Sequence, residues 1–143
     1  MASVAREHFY RSLNLTEVHL EKEFKEAPEE IEDLFIEHLK KRGYFLVAGI
    51  DVQGIIKKNF STDIGFYKIF DVCKPLAARE LISIDDRIGL YLPCKVTLNA
   101  KNGKSVLRLL LIYDIATRET EGTAETLKKY QDEIESLFND FVT

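Results

Sequence analysis

Apolar and polar positions follow two rhythms along this chain, and the changes of rhythm lay out its elements. Residues 18–24 (Val-His-Leu-Glu-Lys-Glu-Phe) alternate with period two and predict a half-buried strand. Ile31, Leu34, Phe35, His38 and Leu39 then recur at helical spacing, behind Pro28 and a cluster of Glu29, Glu30 and Glu32 suited to the positive end of a helix dipole. Lys40, Lys41 and Arg42 sit at the negative end, and Gly43 stops the helix. Residues 44–50 form a continuous apolar run, which predicts a strand buried on both faces. Asp51 is an N-cap for a short helix over 52–58, residues 66–72 read as a strand, and Pro75 opens a helix over 76–81. Asp85, Asp86 and Gly89 mark a turn.

Residues 90–100 and 104–115 predict a hairpin around Asn102-Gly103, a pair that accepts the positive φ of a tight type I′ turn. The apolar stretch 106–113 suits a central strand. Gly122-Thr123 is expected to cap a last helix, in which Leu127, Tyr130, Ile134, Leu137, Phe138 and Phe141 fall three and four residues apart. The order strand, long helix, several strands, long helix predicts an α+β fold. Two layers are expected, a mixed or antiparallel sheet with two long helices packed on one face (β-α-β(4)-α-like). Without repeat or linker, the expectation is one domain over 16–143 behind a lead-in of 1–15, where 8–15 suit a short helix or an extra strand.

Composition narrows the classes. Hydrophobic residues are 45% and charged residues 31% of 143, which suits a globular domain with a core of its own. The formal net charge is -4, and basic residues are mixed with acids, which argues against nucleic acid and against anionic membrane surfaces. The apolar runs, 44–50 and 109–113, are far too short to span a bilayer, and residues 1–15 lack the apolar segment of a secretory leader. Two cysteines make no disulfide scaffold, so a soluble protein in the reducing cytoplasm is expected.

The cysteines carry the sharpest candidate chemistry. Cys73 closes a predicted strand just before a helix N-terminus, where the dipole and neighbouring Lys74 are expected to lower a thiol pKa. Cys94 opens a strand, and neighbouring strands would bring the two within reach of a disulfide or a shared soft metal. Against this stands the bland reading of two small core residues. The candidate thiol site is Cys73, Lys74, Pro75, Pro93 and Cys94, and the candidate pocket lining is Asp51, Tyr67 and Tyr91. Asp51 reads first as a cap, and Asp85 and Asp86 as turn residues rather than an acid/base pair. Tyr44, Phe45, Phe60, Phe66, Tyr67, Phe70 and Tyr91 read first as core. His8, His19 and His38 lie far apart and read as structural. No phosphate-binding glycine motif or nucleophile elbow occurs, so no catalytic residue, cofactor or metal is assigned.

Gly43-Tyr44-Phe45, Ile50-Asp51-Val52-Gln53, Cys73-Lys74-Pro75 with Ala77, and the run from Ile88 through Leu92-Pro93-Cys94 to Val96 follow one another in an order and spacing with a precedent. The series resembles the domain-of-unknown-function 302 family over roughly 18–115, with Lys74 where that family often has Asn. The resemblance implies a layered α+β domain similar to the TATA-box-binding-protein-like fold class, and a dimer, without implying an activity. Three readings follow: a cytosolic dimeric module binding a small ligand or a protein partner, a thiol protein handling redox chemistry, sulfur or metal, and last an enzyme using strand-end carboxylates.

Overall fold

Every strand pair among the described residues is antiparallel. The computed structural model describes residues 18–143. In order, these form β1 (His19–Phe24), α1 (Pro28–Lys40), β2 (Phe45–Asp51), α2 (Val52–Phe60), β3 (Tyr67–Cys73) and α3 (Pro75–Ile84). A 3-10 helix (Asp86–Tyr91), β4 (Cys94–Lys101), β5 (Lys104–Leu110), α4 (Tyr113–Glu119) and α5 (Ala124–Asp140) follow. The sheet order is β1-β5-β4-β3-β2. The lead-in, with its predicted element at 8–15 and His8, lies outside the described residues.

The register aligns one apolar row across four strands, Leu20 opposite Leu109, Leu109 opposite Val96, and Val96 opposite Phe70. A second row pairs Leu98 with Leu107. These residues share a core with Ile31, Phe35 and Leu39 of α1 and with Ile134, Leu137 and Phe138 of α5. The two long helices therefore cover one face of the sheet, as their apolar stripes predict. A second, smaller cluster joins Leu81 of α3 and Ile88 to Ala116, Leu127 and Tyr130.

The layers are locked at the end of α5. Phe141 packs edge-on against Phe24 and Phe35, with ring centroids 5.3 and 5.1 Å away. Lys22 of β1 donates to the Asn139 and Phe141 carbonyls at 2.6 and 2.8 Å, and His38 of α1 donates to the Leu137 carbonyl at 2.7 Å. A cation and ring donors at the negative end of a helix supply partners that its last carbonyls lack. His38 is thus structural, as its isolation in the sequence implies.

Several boundaries fall as expected. Pro28 and Pro75 open α1 and α3, and Asp51 Oδ1 accepts from the Gly54 amide at 3.1 Å. Asn102 and Gly103 take φ of 53° and 76°, as a type I′ turn requires.

Other expectations are corrected. Residues 44–50 are not a strand buried on both faces. Among the described residues β2 is an edge strand bonded only to β3, and its Phe45, Val47 and Ile50 are 44, 57 and 43% exposed. Phe45 and Phe60 accordingly leave the predicted core. The hairpin is shorter than 90–115 at both ends. Leu90 and Tyr91 belong to the 3-10 helix, and the chain leaves the sheet after the Leu111 amide bonds the Val18 carbonyl at 2.8 Å. Beyond that point the Tyr113 amide turns to Gln131 Oε1 at 2.9 Å, and α4 begins. Thr123 does not cap α5 with its side chain. Its backbone is helical, and its hydroxyl pairs with that of Thr120 at 2.5 Å.

Neighbouring residues at the chain end should respond oppositely to truncation. Phe141→Ala is expected to lower unfolding stability by about 3–5 kcal/mol, and Val142→Ala, mostly exposed, by less than about 0.5 kcal/mol. Urea unfolding followed by circular dichroism measures both.

Candidate functional site

Two depressions share a wall where β3 gives way to α3 and β4 begins. The smaller is a cavity of about 40 Å³, lined by residues including Tyr44, Cys73, Lys74, Cys94, Tyr130 and Ile134. The larger is a groove of about 510 Å³, lined by Tyr91, Asp71, Lys95, Asp114, Ile115 and Arg118 among others. Leu92, Pro93, Leu110, Leu111 and Ile112 belong to both. Only the groove reaches the size usual for a small-molecule site, about 300–1,000 Å³.

Local structure explains how polar groups reach the cavity. Gly43, at φ 77°, ends α1 and lets the Tyr44 amide return to the Leu39 carbonyl at 3.1 Å. Tyr44 is thereby turned inward, and its Oη is buried near the Glu133 carboxylate without a hydrogen bond of normal geometry among the described residues. Lys74, at the joint of β3 and α3, pairs through Nζ with Glu133 of α5. The same ammonium lies 5.3 Å from the Tyr44 ring centroid and 5.8 Å from that of Tyr130. Tyr130 Oη donates to Glu80 Oε2 at 2.7 Å.

Burial governs ionisation here. It pushes the Tyr44 phenol far above the usual range, helped by the nearby Glu133 carboxylate, and it pushes Tyr130 up to about 12, helped by Glu80. Both phenols stay protonated at neutral pH.

The cysteines come together as the strand order requires. Val72 faces Cys94 in the β3–β4 register, Cys73 is the next residue, and both thiols are free and line the cavity. Their expected acidity is corrected. Burial raises the Cys73 pKa, and burial followed by the field of Cys73 takes Cys94 up to about 11. The cation meant to activate Cys73 is engaged elsewhere, since Lys74 is held by Glu133 and the two rings. Desolvation of the thiol then outweighs the helix dipole.

The other predicted site residues scatter. Pro93 stands in the shared wall and Pro75 opens α3. Asp51 caps α2 and faces Lys68, next to Tyr67, at one end of β3, whereas Tyr91 lines the groove near the other end, so the three candidate pocket residues do not form one lining. Asp71 pairs with Lys95 at 3.1 Å. Asp85 accepts from Arg87 and from the Glu121 amide at 2.9 Å, and Arg87 holds its carboxyl far below the usual range. It is a staple between loops. Among the described residues no group of three or more His, Cys, Asp or Glu is placed to hold a metal, and no helix is long and apolar enough to cross a membrane. The sequence reading missed Glu133, and took Tyr44 for plain core. A signal existed for Glu133, a carboxylate beside the apolar stripe of Tyr130 and Ile134.

The raised thiol pKa values predict slow chemistry. At pH 8 only about one Cys94 in a thousand is thiolate. Alkylation by iodoacetamide, followed by intact mass, should run more than about tenfold slower in the native protein than in urea. Equal rates would contradict the buried thiol.

No curated protein matches the chain. A solved structure, described as an uncharacterized conserved protein DUF302 from Bacillus stearothermophilus, is similar with a TM-score of 0.78 at 16% identity, covering 87% of this chain and 98% of that one. At that identity the likeness is one of fold. The family model described as Domain of unknown function DUF302 matches residues 19–141, which takes in the sheet, both long helices and the cavity, and the chain belongs to that family.

Proposed function

We propose that this protein is a small-ligand binding module whose site is the groove and the cavity behind Pro93. The observation that carries the reading is Tyr44 Oη, a buried and protonated donor that makes no hydrogen bond of normal geometry among the described residues, the Glu133 carboxylate beside it being held by Lys74. An imperfectly satisfied buried donor costs up to about 1–3 kcal/mol, so a better-placed acceptor is expected in the cavity. The cavity of about 40 Å³ has room for the tip of a ligand, and the groove of about 510 Å³ for its body. Two of the nearby charges are matched in pairs, Lys74 with Glu133 at the cavity and Asp71 with Lys95 at the groove, which favours an uncharged group at the cavity end of the guest. The ligand class is a neutral, mostly apolar molecule with a carbonyl-type acceptor.

The setting we infer is the reducing cytoplasm, and the support is a pair of neighbouring thiols that stay unbridged. A redox, sulfur-handling or metal-holding role for Cys73 and Cys94 is the second reading. Its support is their common cavity wall, and their raised pKa values weigh against it.

Methyl-resolved NMR with cyclohexanone as probe, and methylcyclohexane as hydrocarbon control, tests the first reading. Cyclohexanone is expected to shift the methyl signals of Leu92, Leu111 and Ile134. Tyr44→Phe should weaken that binding about tenfold, the worth of one hydrogen bond, without lowering the melting temperature. No response to cyclohexanone, or equal binding by Tyr44→Phe, would overturn the assignment and leave Tyr44 satisfied by a structural water.

A further inference from the structure

Two donors compete for one carboxylate at the cavity. Glu133 of α5 lies beside both the Lys74 ammonium and the Tyr44 phenol. The ammonium has it, since Lys74 Nζ pairs with Glu133 Oε1, and the two side chains are only 19 and 29% exposed. Tyr44 Oη, by contrast, makes no hydrogen bond of normal geometry among the described residues. An ion pair joined by a hydrogen bond is stronger than a bond to the carboxylate from a neutral phenol, which decides the contest.

The position of Lys74 is built by its surroundings. A Cβ placed on Gly43 would lie 3.9 Å from Lys74 Cε, so the lysine stem runs past the same turn that directs Tyr44 inward. Its ammonium is 5.3 Å from the Tyr44 ring centroid and 5.8 Å from that of Tyr130, a range in which a cation and a ring attract. Tyr130 also lines the cavity, but its hydroxyl is committed to Glu80 at 2.7 Å. Of these two phenols, Tyr44 is the one whose donor the Lys74–Glu133 pair leaves over.

We infer that Lys74 is a positioning residue that sets the specificity of the cavity: by holding Glu133 it withholds that carboxylate from Tyr44 and reserves the phenol for an acceptor on the guest. The guest rests on the ligand reading above, whereas the competition for Glu133 stands apart from it. With the ammonium removed, Glu133 becomes an anionic acceptor beside the phenol and takes its hydrogen bond. A carbonyl guest must then displace a charge-assisted bond, and the cavity loses its preference for a carbonyl over a hydrocarbon.

The NMR assay with cyclohexanone and methylcyclohexane tests the specificity. Lys74→Met, which keeps an unbranched stem and loses the charge, should weaken cyclohexanone binding about tenfold and leave methylcyclohexane unchanged. Combined with Tyr44→Phe it should cost nothing further, because both changes remove the same bond. Adding Glu133→Leu to Lys74→Met removes the competitor and should return the affinity for cyclohexanone to within about threefold of wild type. A purely structural role for Lys74 would give no such rescue, and its absence would overturn the inference.

Carbon NMR of protein labelled at the tyrosine Cζ tests the competition without a guest. In the wild type, Tyr44 Cζ is expected upfield of Tyr130 Cζ, whose hydroxyl is bonded to Glu80. In Lys74→Met it should move downfield as the phenol donates to Glu133. A wild-type Tyr44 signal as far downfield as that of Tyr130, or no movement in Lys74→Met, would overturn the inference whether or not cyclohexanone binds. A downfield move in a protein that binds no cyclohexanone would uphold the hold of Lys74 on Glu133 and sink the ligand reading alone. If Lys74→Met fails to fold, the wild-type comparison and the double variant, in which an apolar pair replaces the ion pair, carry the test.

Discussion

The apolar layer between the sheet and the two helices α1 and α5 is the constraint on which the rest of this structure depends. Leu98 and Leu107 sit at its centre with no exposed surface, and Phe141 closes it at the end of the chain. Burial of this kind is the main favourable term in a domain of this size. The polar contacts around Phe141, from Lys22 and His38 to the last carbonyls of α5, then set how far the helix can slide. They tie the first strand, the first helix and the last helix at one corner.

The cavity is a consequence of where that layer stops. Beyond Val72 and Cys94 the sheet no longer lies flat under α5, because β3 has turned into α3 and β4 has not yet begun. Side chains from the two elements converge without filling the gap. Tyr44, Lys74, Glu133 and Tyr130 supply a polar cluster in which the lysine and the glutamate pair and the Tyr44 hydroxyl, beside that glutamate, makes no hydrogen bond of normal geometry among the described residues. In a desolvated site an ion pair holds its geometry, and an unsatisfied donor is costly. The same desolvation silences the thiols, which is why two cysteines brought side by side are poor nucleophiles there.

Much of the fold was legible in the sequence because it is written locally. Period-two alternation in β1, the stripes of α1 and α5, the prolines that open helices, and Asn102-Gly103 each report a backbone state or a buried side within a few residues. A continuous apolar run is different. Residues 44–50 state that surface must be covered, without stating by what, and the strand order placed them at an edge. The end of β5 was equally out of reach, since it depends on where its partner β1 begins. At the site, the sequence marked Cys73, Lys74, Pro93 and Cys94 as notable. Only the tertiary structure decided that Lys74 faces Glu133, that Tyr44 has a lone hydroxyl, and that burial raises the thiol pKa values. The physical reason is that ionisation and hydrogen bonding depend on groups dozens of residues apart, and their meeting is set by the pairing order of the strands.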